Sequence, residues 1–456
     1  MRRSTALLFL WTMLASPPTQ GSPFVDQAPE RLSEYIRIDT QNPPGNETRG
    51  VAFIARIFDA AGIDYDAAES ADGRGNIWAR LKGGRKPGLV LLNHIDVVPA
   101  DLRYWTSNPF DGAIRDGYIY GRGALDMKGL AIAQLQAFLA LHAADPKLNR
   151  DVIFVATADE EAGGAYGAGW LLENRPEIFK NVGFLINEGG RGTVIGDDTV
   201  FSIEVTQKVP LWLRLVAHGN PGHGSMPQTE TAVTRLMRAG DRLARTRFEA
   251  RVIPAVRVMF EGMAPYQPAA LRARYANIVN SVADTEFMSY LQLTNPLHHA
   301  LLRNTCSLTR LQGSSKINVV PTEAVLEIDC RLLPDQDPDA FITELTLIVN
   351  DPNITIEKLM SFTPAVSSTD TDFYRLIEEL YIERFPGARV IPGVTTGFTD
   401  SHFFRDLGIT SYGVGPFVIP AEDRQGVHGN NERISVENLK KGTEYLVELL
   451  NRFTAR

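Results

Sequence analysis

Cysteine is nearly absent: Cys306 and Cys330 are the only two in a chain of 456 residues. That scarcity excludes a cysteine-rich zinc finger, an iron–sulfur cluster and a multiply cross-linked scaffold, so a metal site would have to use histidine and carboxylates. Positive charge is not concentrated either. Lys and Arg number 46 against 54 Asp and Glu, for a net charge of -8, and no block of five or six basic residues occurs. Neutralising phosphates needs a dense positive face, so nucleic acid is excluded as a partner. Long hydrophobic runs are missing as well. A bilayer core of ~30 Å takes about 20 apolar residues to cross, and nothing here approaches that length. What remains, 44% hydrophobic and 22% charged, is the composition of a folded soluble enzyme of two or three domains.

The first 21 residues stand apart. Arg2 and Arg3 precede an apolar stretch from Ala6 to Ala15, and Ser16-Pro17-Pro18-Thr19-Gln20-Gly21 follows as a turn-rich close. This is the layout of a secretory signal peptide, and it predicts a secreted or periplasmic protein. An uncleaved membrane anchor is the rival, because no clear small-x-small cleavage site appears, and a cytosolic chain with an apolar start is a third reading.

Beyond the leader, residues 30–61 carry helical spacing interrupted by the turn Asn42-Pro43-Pro44-Gly45. Residues 75–81, 89–92, 151–157 and 182–186 read as strands, the last three as short continuous apolar runs of the kind buried on both faces. Helices are expected over 124–144 and 167–173. Strands alternating with helices argue an α/β domain with a mostly parallel core, flanked by helices. Near Gln207 the texture changes: Leu211, Leu213, Leu215 and Ala217 alternate with Trp212, Arg214 and Val216. A helix over 229–245 and alternating strands at 307–311 and 324–332 complete an α+β unit. After Pro352 the helix–strand alternation returns, with helices at 370–385 and 436–451 and strands near Val390 and at 410–414. The expected organisation is a catalytic domain in two parts, 22–206 and 353–456, interrupted by an inserted lid or dimerisation domain over 207–352.

Chemistry-bearing residues stand where the buried strands end. The 89–92 strand runs into Asn93-His94-Ile95-Asp96, the 151–157 strand into Asp159-Glu160-Glu161, and the 182–186 strand into Asn187-Glu188. The carboxyl ends of strands line the ligand crevice of open α/β sheets. One carboxylate there is ordinarily a cap or a solvated charge, but three strands converging on histidine and carboxylates are not. Asp126 sits in Gly121-Arg122-Gly123-Ala124-Leu125-Asp126-Met127-Lys128-Gly129. A helix cap explains an acidic residue there, yet caps do not need three glycines, which imply close backbone approach. His428 lies in a polar loop ahead of the last helix.

These segments, with Trp105 to Phe110 and Gly222-His223-Gly224-Ser225-Met226-Pro227, resemble in order and over nearly the whole chain the co-catalytic dizinc family. That family includes aminoacylase, carnosinase-type dipeptidases, glutamate carboxypeptidase, acetylornithine deacetylase and succinyl-diaminopimelate desuccinylase. The resemblance implies two zinc ions, or Co2+ or Mn2+ in their place, with His94 and Glu188 on one metal, Glu161 and His428 on the other, and Asp126 bridging. The donor chemistry agrees, since nitrogen and carboxylate oxygen suit zinc and its divalent neighbours. Glu160 is then the general base, and Asp96 the acceptor of the second N–H of His94. By the same resemblance His223 reaches the developing oxyanion, often from a partner subunit, which implies a homodimer through the inserted domain. Asn318, Arg331 and Thr399 would hold the free carboxylate of the amino acid released. One departure stands beside them: His402 occupies a place where many members have arginine.

The implied activity is hydrolysis of an amide bond next to a free carboxylate, on N-acyl amino acids or small peptides. The same site run in reverse would make N-acyl amino acids, and a metal-bearing binding protein without turnover is the alternative of another class. A serine hydrolase is excluded, because Gly224-Ser225-Met226-Pro227 lacks the second glycine of a nucleophile elbow. His142, His218, His298 and His299 carry no ligand-like partner nearby and are assigned no role. Cys306 and Cys330 are equally distant from Asn318. If their strands pair about the 314–321 loop, the two face each other, and an exported chain could bond them.

Overall fold

The computed structural model describes residues 22–455; the leader lies outside them. Its centre is a nine-stranded sheet in the order Tyr65–Glu69, Gly75–Leu81, Arg150–Thr157, Lys86–His94, Val182–Asn187, Thr410–Gly413, Asp198–Gln207, Arg389–Thr395, with Arg191–Ile195 added on Asp198–Gln207. Lys86–His94 pairs parallel with both of its neighbours, and Thr410–Gly413 extends the parallel run. This is the expected mostly parallel α/β core. Its strands are continuous apolar runs because both faces are covered: Leu89 to Leu92 and Val152 to Ala156 are buried throughout. One face packs on the helices Lys128–Ala144 and Val436–Thr454, the other on Ala168–Asn174.

At Gln207 the chain leaves this sheet and at Val209 enters a second one, four antiparallel strands in the order Thr305–Gln312, Glu323–Leu332, Val209–His218, Ile354–Ser361. Helices Ala232–Arg245 and Pro338–Val349 cover one face, where Leu211, Leu213 and Leu215 meet Leu236, Phe341 and Leu345. The return to the large sheet lies later than residue 352. Asp351-Pro352-Asn353 is the turn into the fourth strand of the small sheet, so Ile354–Ser361 belongs with residues 207–352 rather than with the segment that follows.

Cys306 and Cys330 are register partners on adjacent strands and are joined by a disulfide. Between the Ala232–Arg245 helix and Thr305 the chain forms a cluster of short helices from Pro254 to Ala300 for which the sequence pattern gave no expectation. The cluster docks on the far edge of the large sheet, packing Val256, Met259 and Phe260 against Val200 and Ile391. A β-carbon at Gly262 would stand 2.5 Å from Ile391 Cγ2, so only glycine lets that helix lie so close to the strand. The buried Lys208 Nζ, at the crossing between the sheets, ties the end of the cluster down by donating to the carbonyls of Ala300 and Arg303, both at 2.8 Å.

Candidate active site

Three adjacent parallel strands deliver the centre of the site. His94 ends the middle strand, Glu160 and Glu161 follow the strand on one side, and Glu188 follows the strand on the other. Asp126 and His428 come in from loops above. Asp126 Oδ1 lies 3.3 Å from His94 Nε2, while Asp126 Oδ2 lies 3.0 Å from His428 Nε2. Glu161 Oε2 is 3.2 Å from the same His428 nitrogen, and Glu188 Oε1 is 3.7 Å from His94 Nε2. The single carboxylate of Asp126 thus faces two imidazoles, one per oxygen, with a further carboxylate beside each. Glu160 Oε2 stands 3.8 Å from His94 Nε2.

The Asp126 loop is shaped from a distance. Helix 128–144 begins four residues later than its sequence suggests, because the backbone N–H groups of Gly123, Leu125 and Asp126 donate to the Glu432 carboxylate at 3.0, 2.7 and 3.0 Å rather than entering a first helical turn. Arg122 completes the clamp by donating to Glu432 Oε2 at 2.7 Å and to the Gly429 carbonyl at 2.7 Å, which fixes the His428 loop against the Asp126 loop. No side chain caps the helix, and the Asp126 carboxylate is left for the histidines. A side chain at Gly129 would run into the Ala124 carbonyl, which accounts for one of the glycines flanking Asp126.

Asp96 is buried behind His94 but plays its part differently from expectation. The nearer acceptor for His94 Nδ1 is the Asp96 backbone carbonyl at 2.9 Å, with the carboxylate at 3.4 Å. The carboxylate itself accepts the backbone N–H groups of Glu160 and Glu161 at 3.2 and 3.1 Å and the Asn42 amide at 2.8 Å. It therefore sets the turn that presents both glutamates. Asp159, in the left-handed region at φ 70°, begins that turn.

The electrostatics ask for cations. Burial, then the charge of Glu188, pushes the Glu160 carboxyl well above its ordinary pKa. Burial and the Asp126 charge raise Glu161 and push Glu188 well above the ordinary value. For Asp126 burial also acts upward, but His428 and His94 outweigh it and hold the carboxyl below the usual range. His94 Nε2, Glu160 Oε1 and Glu161 Oε1 are buried without a hydrogen-bond partner. His94 with Asp126 and Glu161, and His94 with Glu160 and Glu188, each bring three ligand atoms within 4.8 Å of one another. Orphaned nitrogen and oxygen donors crowded with carboxylates fit divalent metal.

The cluster forms part of the wall of a cavity of about 840 Å³ that lies between the two sheets and the helical cluster. Arg331 and Trp212, on the face of the small sheet opposite its helices, line it with Thr399 and Phe398. Arg331 Nε donates to Asp329 at 2.7 Å, but its Nη1 is buried and unpartnered. The Thr399 hydroxyl and N–H both donate to Gln207 Oε1 at 3.1 Å, so this residue is already engaged. Arg191 and Arg424, which the sequence did not single out, also line the cavity, as does His298. His223 and Asn318 are elsewhere. They meet in a small ribbon, where Gly224 N donates to the Asn318 carbonyl at 2.9 Å, and both are exposed outside the cavity of their own chain. His402 is buried and stacked on Phe362 at 3.5 Å between ring centres, away from the cavity lining.

The profile of peptidase family M20/M25/M40 matches residues 90–452. The chain belongs to that family. Relatives in sequence include the N-fatty-acyl-amino acid synthase/hydrolase of Xenopus tropicalis, 32% identical over 79% of this chain and 71% of the relative. Human aminoacylase-1 is 26% identical over 91% of this chain and 93% of its own length. Among solved structures, an M20 family metallo-carboxypeptidase from Sulfolobus solfataricus superposes with a TM-score of 0.73 at 21% identity, covering 93% of this chain and 98% of that one. Human carnosine dipeptidase 1 gives 0.65 at 18%, covering 93% and 96%. These likenesses agree with the two-sheet fold. As a member of the M20 family the chain is an amide hydrolase with a metal centre.

Proposed function

We propose that the chain hydrolyses N-acyl amino acids, with the free carboxylate of the amino acid on Arg331 and the acyl group in the apolar part of the cavity. The cavity lining carries this choice. Among its described residues no carboxylate lies outside the metal cluster, so the free ammonium of a dipeptide would find no counter-charge, whereas an uncharged acyl group needs none. Arg331, with a desolvated and unpartnered Nη1, suits the opposite end of the substrate. The acyl group is a fatty one on this proposal. Several relatives are named as N-fatty-acyl-amino acid enzymes, and much of the lining is apolar, Val200, Met259, Leu301 and Ile391 among it.

His94, Asp126, Glu161, Glu188 and His428 are proposed to hold two zinc ions, with Asp126 between them. The metals would supply Lewis acidity toward the scissile carbonyl and toward a nearby water. The chain's own groups do the rest. Glu160, raised in pKa and unpartnered at Oε1, takes the proton of the attacking water and returns it to the departing nitrogen. The Asp96 carbonyl fixes the tautomer and ring orientation of His94. His223 is exposed in its own chain, which supports a homodimer in which it serves the partner's site. The paired cysteines support an oxidising compartment, and with it export by the leader.

The experiment is a panel of N-acyl amino acids and dipeptides offered to the zinc-loaded protein. Release of free amino acid from the acylated set, with little from unblocked dipeptides, is expected; the reverse preference would overturn the proposal.

A further inference from the structure

The Pro254–Ala300 helices follow a helix of the small sheet in sequence, yet they dock on the large sheet and close one side of the substrate cavity. Met259 and Met263 lie four apart on one helix, and Leu297 and Leu301 lie four apart at the end of the cluster, so each pair shares a helical face. All four line the cavity, together with Val200 and Ile391 of the sheet edge against which the cluster packs. The wall is held at both ends: Gly262 lets one helix close onto Ile391, and Lys208 ties the other end to the crossing between the sheets.

We propose that this helical cluster is the acyl-chain gauge of the enzyme, and that Met263 and Leu297 set the length of the straight apolar chain it accepts. The proposal rests on the N-acyl amino acid reading above and deepens it. Met263 and Leu297 are the more accessible members of the two pairs, whereas Met259 and Leu301 are buried in the core of the cluster. A chain running along this wall exchanges water for methionine and leucine side chains, which accommodate an unbranched alkyl chain without needing a polar partner. Each methylene so buried raises kcat/KM roughly 4-fold, until the wall is filled.

The test measures kcat/KM for N-acyl phenylalanines from acetyl to octadecanoyl on the zinc-loaded full chain. Wild type is expected to climb with chain length and then level off. Met263→Trp and Leu297→Trp fill the wall and should lower the ratio of long-chain to acetyl kcat/KM by 10-fold or more. Leu297→Ala, which enlarges the wall, should move the levelling point to longer chains. A ratio unmoved in all three variants while they still cleave some N-acyl amino acid would overturn the gauge alone. Absence of turnover on every N-acyl amino acid by wild type would overturn the functional reading, and the gauge with it.

Discussion

Glu432 accepts the backbone N–H of Asp126 at 3.0 Å although the two are 306 residues apart in the chain. One buried carboxylate thereby fixes both the loop of Asp126 and, through Arg122, the loop of His428. Glu432→Gln keeps the size of the side chain but removes the charge that faces three N–H groups and a guanidinium. Zinc affinity, measured by chelator competition, should fall roughly 10- to 100-fold, the scale of losing a group that orients metal ligands. Unchanged affinity would show that the loops hold their geometry without it.

Glu160→Gln should retain metal by elemental analysis and lose about 10²-fold or more in turnover. Near-normal turnover would move the role of base elsewhere.

Arg331→Met removes the guanidinium with its unpartnered Nη1. A charge-assisted bond of about 1.5–3 kcal/mol corresponds to a rise of roughly 10- to 100-fold in KM for an N-acyl amino acid. The amide-capped analogue, which lacks the carboxylate, should discriminate poorly between variant and wild type; equal losses on both substrates would show a structural effect instead.

His298 gives a stability prediction with a definite sign. Its Nδ1 lies 2.8 Å from the Tyr275 hydroxyl and 3.0 Å from the Asn295 amide nitrogen, and burial lowers its pKa from 6.5 to about 4. Between those values the unfolded chain binds more protons than the folded one. The contribution is complete above about pH 6.5 and is lost as pH falls toward 4, reaching about 2 kcal/mol by about pH 5. Denaturant unfolding of wild type and His298→Gln at about pH 7.5 and about pH 5 isolates it, since losses from other groups cancel in the difference. An identical pH response in the two proteins would remove His298 as the cause.

For assembly, His223→Ala and Glu160→Gln should each be nearly inactive alone, yet regain part of the activity when mixed under subunit exchange, because a mixed dimer then holds one intact site. No recovery, with exchange demonstrated, would place His223 outside the partner's site.

Sequence pattern reached the middle of the site because the buried parallel strands ending at His94, Thr157 and Asn187 are unbroken apolar runs whose last residues must open onto the crevice. Asp126 and His428 lie in loops without periodicity; the glycines around Asp126 marked its loop, and the likeness of the surrounding segments gave both residues their roles. The late start of helix 128–144 was illegible, since the acceptor for its would-be first-turn donors is Glu432, far away in sequence. The helical cluster was hidden for a related reason. Its pieces are short, and their apolar faces acquire meaning only against Val200 and Ile391, which belong to other segments. The strand Ile354–Ser361 escaped because its partner, Val209–His218, lies across the whole insertion.

His94 comes from the first quarter of the chain, whereas His428 precedes the last helix, Val436–Thr454, which packs on the helix that follows Asp126. A nascent or proteolysed chain ending before His428 would present one imidazole to Asp126 and leave its other oxygen without one. The second imidazole is thus among the last of the site's residues to be synthesised, and the helix that follows it packs on the helix that follows Asp126. A chain cut between Val427 and His428 is therefore expected to lack that imidazole while keeping Arg331, Val200, Met259, Leu301 and Ile391 of the cavity lining.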